Sequence, residues 1–140
     1  MRLIPIPAAH TDGDTLIHFT RADAIMAGDF YRSTEYPNID RNNGGSLKGM
    51  IDGLNAVIQL AGPATKIIPG HGDSADRTAV AAHRDMIVAL RDKVAPLVRQ
   101  GKTQEEVVAA KLTNEFDSKV TGATAMTGDR FVGQVYAELK

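Results

Sequence analysis

The chain has 140 residues, 43% hydrophobic and 24% charged, with 16 Lys+Arg against 17 Asp+Glu and no cysteine. That length allows one domain whose core needs neither disulfides nor a structural metal. The balanced charge offers no field for nucleic acid or an anionic membrane, and the lack of thiols excludes a disulfide framework, a thiolate metal site and a cysteine nucleophile.

The start, Leu3-Ile4-Pro5-Ile6-Pro7, reads as an extended segment near a sheet edge. Its apolar run is too short for a secretory leader, and no stretch approaches the roughly 18 apolar residues of a membrane span. The chain as written is expected to stay soluble in the cytoplasm, with a longer, secreted parent left open. Thr15 to Thr20 is β-branched and aromatic, and Ala24 to Ala27 is a second apolar run. Arg21-Ala22-Asp23 between them suits a hairpin connection. Residues 30 to 45 are loop-like, ending in Asn42-Asn43-Gly44-Gly45. These four lack the lysine of a phosphate loop, so nucleotide binding is not expected.

Ser46 is placed to cap a helix over 47–61, whose apolar positions Leu47, Met50, Ile51, Leu54, Val57 and Ile58 follow one buried face. Gly62-Pro63 stops it. Thr65 to Ile68 predicts a short buried strand, with Pro69-Gly70-His71-Gly72 as a loop at its end. A long helix follows over 77–99, with Val80, His83, Ile87, Leu90, Val94 and Leu97 as its stripe and Pro96 placed to kink it. Thr103-Gln104-Glu105-Glu106 is a capping box opening a helix to about 112. Residues 129 to 139 predict a last helix. The order is three strands, a helix, a strand, then helices: an α/β fold with one mixed sheet covered on one face by helices.

Three segments place a metal-ligand side chain just past a strand: His10-Thr11-Asp12-Gly13-Asp14, Gly28-Asp29 and Pro69-Gly70-His71-Gly72. Two imidazoles and a carboxylate suit zinc, with bonds of roughly 2.0 to 2.2 Å. The carboxylate can also bridge two ions about 3.5 to 4 Å apart. Each segment alone is commonly a plain turn. His18 within a strand and His83 on a helix stripe read as structural histidines.

Taken in order, the three motifs resemble the C-terminal half of the metallo-β-lactamase superfamily of metal-dependent hydrolases. The resemblance runs from about residue 2 to residue 90, with 102–140 as a helical C-terminal extension of a single domain. It implies half of an αββα sandwich and one or two zinc ions. By that resemblance His10 binds the first metal, Asp29 a second-metal or bridging position, and His71 completes the second. Asp12 and Asp14 then stand behind the ligands, where such carboxylates orient imidazoles. Phe30, Tyr31 and Arg32 border a possible substrate pocket. The family's leading His-x-His-x-Asp-His motif is absent: His10, His18, His71 and His83 never have that spacing.

One copy therefore offers three ligands split between two metal positions, and an isolated monomer is expected to bind metal weakly and hydrolyse poorly. Half a sandwich also leaves an apolar sheet face uncovered. The expected partner is a second copy packed sheet against sheet, or a missing N-terminal half. Two functions follow. One is a hydrolase using metal-bound hydroxide once such a partner completes the site. The alternative is a non-catalytic, truncated half-domain that self-associates. The substrate is not specified, because this scaffold serves many.

Overall fold

The computed structural model describes all 140 residues. Four strands, β1 (Arg2–Pro5), β2 (Thr15–Phe19), β3 (Ala24–Arg32) and β4 (Lys66–His71), form one sheet in the order β1-β2-β3-β4. The first two pairings are antiparallel, β2–β3 through a short connection, and β3–β4 is parallel. The parallel pair needs a crossover, and α1 (Leu47–Leu60) supplies it. Three further helices follow: α2 (Arg77–Arg99), α3 (Gln104–Ala109) and α4 (Ala125–Leu139). The fold is α/β with one mixed sheet, as expected.

Local chemistry sets the helix starts. Ser46 accepts the Gly49 N–H, Asp76 accepts that of Ala79, and Thr103 forms the expected capping box with Glu106. α1 lies against β3 and α2, while α4 packs on α2 and α3. Alternation along each strand sends Leu16, Ile25, Ala27 and Ile67 beneath these helices, joining Leu54, Val57, Ile87, Leu90 and Phe131 in one contiguous core. No helix is long and apolar enough to cross a membrane.

The other face of the sheet has no helix over it. Its central row is Leu3, Ile17, Met26 and Ile68, which are successive cross-strand partners. Leu3 is 62% exposed and Met26 40%, with Ile17 and Ile68 half-buried. This is the uncovered apolar face.

Four boundaries differ from expectation. β3 continues past Ala27 to Arg32, and β4 takes in Pro69, Gly70 and His71 rather than ending at Ile68. Each extension lends the other its ladder partners, and Pro69 is tolerated because β4 is an edge strand. α3 stops at Ala109 because Lys111 adopts a left-handed conformation, φ 51°. α4 begins at Ala125, four residues early, on a capping box between Thr124 and Thr127.

Candidate metal centre

The topology dictates which strand ends meet. β3 and β4 run parallel, so both finish at one edge of the sheet. β1 is antiparallel to β2 and β2 to β3, so the β1–β2 connection, residues 6–14, turns at that same edge. His10 sits on that connection, Asp29 near the end of β3 and His71 at the end of β4. The three side chains meet there. Asp29 Oδ2 is 3.6 Å from His10 Nε2, and Asp29 Oδ1 is 3.5 Å from His71 Nε2.

Two glycines make room for this. Gly28 takes φ 70° at a register shift in β3, which re-aims the chain just before Asp29. At Gly70 a Cβ would lie 2.1 Å from Asp29 Oδ1, so only glycine lets β4 pass the carboxylate.

The donor types, two imidazoles and a carboxylate, are ones that zinc accepts. His10 Nδ1 is 2.6 Å from the Asn38 carbonyl oxygen, which can only accept, so Nδ1 donates there and Nε2 is the nitrogen facing Asp29. Separations of 3.5 and 3.6 Å are too long for hydrogen bonds. Two donors at ~2.1 Å around one tetrahedral ion are roughly 3.4 Å apart, close to both spacings. The carboxylate thus faces two positions, each with one imidazole. No three His, Asp or Glu side chains converge on a single ion position.

The two sides are held differently. The His10 side chain is 14% exposed, whereas that of His71 is 47% exposed and meets only Asp29. Asp14 accepts the main-chain N–H groups of His10 and Thr11, fixing the loop rather than the imidazole. Asp12 is exposed, with its main-chain N–H bonded to the Asn43 carbonyl. Arg32, 11% exposed, reaches Asp29 Oδ2 at 3.8 Å and Glu35 Oε2 at 3.0 Å, steadying the carboxylate from behind. Phe30 is in the core against Gly53. Tyr31 is also buried, its hydroxyl pushed up to about 12 by burial and then by Asp76.

Tyr31 meets His83 edge-on, with ring centroids 5.1 Å apart. Burial pushes His83 down to about 4, and its Nε2 has no partner. His18 lies within β2, paired with Arg2 and Ile25 across the sheet. Neither joins the cluster. No cavity includes His10, Asp29 or His71; the cluster occupies an open rim. Sequence reasoning missed Asn38, Glu35 and Gln134. Asn38 acts on His10 through its main chain, which leaves no side-chain signal.

No protein-family model and no curated protein matches the chain. Among solved structures it is similar to the stereoselective inverting sec-alkylsulfatase Pisa1 from Pseudomonas sp., with a TM-score of 0.72, 22% identity, and coverage of 96% of this chain and 23% of that one. It is also similar to the DIM-1 metallo-β-lactamase, with a TM-score of 0.50, 17% identity, and 61% of this chain against 40% of that one. VMB-1 gives 0.51, 17%, 61% and 39% in the same order. The chain spans less than half the length of each. At these identities the likeness is one of fold: the chain has a half of the metallo-β-lactamase fold.

Proposed function

We propose that this half of a metallo-β-lactamase fold is one layer of a metal-dependent hydrolase, with His10, Asp29 and His71 as its contribution to a zinc centre. The observation that carries this reading is the Asp29 carboxylate lying between two imidazole nitrogens, 3.6 and 3.5 Å away. His10 with Asp29 Oδ2 would hold one ion, and His71 with Asp29 Oδ1 a second. A bound zinc supplies an acidified water and polarises the ester, thioester, amide or phosphoester under attack. Arg32 keeps Asp29 oriented, and Asp14 keeps the His10 loop in register. The Asn38 carbonyl accepts from His10 Nδ1.

Two donors per position are one or two short of a zinc shell. The remaining ligands would come from a second layer packed on the bare face, either another copy of this chain or sequence outside these residues. The apolar row of Leu3, Ile17, Met26 and Ile68 supports such a layer, because burying it stabilises by about 25 cal/mol per Å2. A second copy would complete the layer through a two-fold axis.

A second reading is favoured by a specific observation, the lack of any three-ligand cluster within one chain. On that reading the chain is a non-catalytic half-domain that self-associates. Elemental analysis of zinc-supplemented protein separates the two, run alongside His10→Ala and His71→Ala. The hydrolase reading expects bound zinc that falls in both variants. Metal content near zero in the unaltered protein leaves only the second reading. Sedimentation at micromolar concentration tests the layer, and a persistent monomer removes the second copy as its source.

A further inference from the structure

Gln134 lies on α4, 96 residues from Asn38 in sequence, yet its side-chain amide grips the segment that holds His10. Gln134 Nε2 donates to Asn38 Oδ1 at 2.7 Å, and the Ile39 N–H donates to Gln134 Oε1 at 2.9 Å. The Ile39 N–H and the Asn38 carbonyl belong to one planar peptide unit, pointing in opposite directions. That same carbonyl is 2.6 Å from His10 Nδ1. One rigid plate therefore connects Gln134 on one side to the His10 imidazole on the other.

Residues 37–40 have no regular secondary structure, so no helix or strand ladder sets the tilt of this plate. The Gln134 amide does so from one side. The Asp40 N–H, donating to the His10 carbonyl at 2.9 Å, ties the next residue to the same loop. The amide orientation is determined by its partners: the Ile39 N–H can only donate, so Oε1 must face it and Nε2 must face Asn38.

We propose that Gln134 is a positioning residue for His10, acting through the Asn38–Ile39 peptide to keep Nδ1 donating to the Asn38 carbonyl and Nε2 turned toward Asp29. The proposal builds on the reading of His10 as a zinc ligand, for which partners behind the ligand typically change metal affinity by about 10- to 100-fold. It also assigns the C-terminal helix a role at the metal centre.

The test is nitrogen-detected NMR of the imidazoles in metal-free protein, followed by zinc titration. The unaltered protein should show His10 protonated on Nδ1. Gln134→Met should lose that tautomer preference and bind zinc about 10-fold more weakly. Gln134→Glu, which keeps the acceptor for the Ile39 N–H, should restore most of both. A folded Gln134→Met with the His10 tautomer unchanged overturns the proposal. Should Gln134→Met fail to fold, Gln134→Ala removes both contacts and must weaken the same preference, or the proposal falls. The tautomer is read without metal, so zinc failing to bind the unaltered protein counts against the hydrolase reading alone.

Discussion

On β4, Ile67 is wholly buried beneath the helices while Ile68 beside it sits half-exposed on the bare face. On β3 the same step separates Ile25, wholly buried, from Met26 at 40% exposed. A sheet with one wet face normally alternates apolar with polar residues. Here both faces are apolar at the centre, the pattern of a sheet covered twice. The chain supplies one cover, and the composition of the other face is suited to a second.

The sharpest way to break this comparison is to truncate the two isoleucines in turn. Ile67→Ala should cost about 2 to 4 kcal/mol, because a filled site under the helices is left with a cavity. Ile68→Ala should cost less than about 1 kcal/mol in the monomer. Denaturant unfolding at low protein concentration reads both, and equal losses would mean the faces are not distinct.

A second difference comes from His83 of α2, packed edge-on against Tyr31. Its folded value of about 4 lies below the unfolded 6.5. Between these the unfolded chain binds more protons, so this stability is complete above about pH 6.5 and is lost as pH falls towards 4. The loss is up to about 3 kcal/mol, in the order-of-magnitude sense. His83→Leu should flatten that part of the acid profile relative to the unaltered protein. An unchanged difference between pH 7 and pH 4.5 would show the ring to be wet.

The smallest effect on folding is expected on the bare face. Met26→Lys should change monomer stability by about 0.5 kcal/mol or less. Yet it places a charge in the middle of the apolar row, so on the second-copy proposal association through that face should fall sharply. Sedimentation velocity of the two proteins side by side measures it. Undiminished association would place the contact elsewhere.

Most of the fold was legible because its signals are local. Ser46 and Thr103 announce their helices, and the stripes on α1 and α2 need only their own sequence. The strand ends were not, since β3 beyond Ala27 and β4 beyond Ile68 are strands only by virtue of each other. Polar Asp29 and Arg32, or Pro69-Gly70, carry no strand preference of their own. The start of α4 was missed because Thr127 takes the place where a Glu or Gln is usually sought. At the centre, His10, Asp29 and His71 stood out by residue type and order. Arg32 was suggested by its place after Asp29, while Glu35 and Gln134 matter through contacts no spacing rule reveals.

The carboxylate between the two imidazoles has a thermodynamic consequence. Because Asp29 turns one oxygen to His10 and the other to His71, a positive charge taken up on either side draws on the same single negative charge. Occupancy of one side must therefore alter the affinity of the other, and by linkage the influence is equal in both directions. Replacing Asp29 should weaken that coupling.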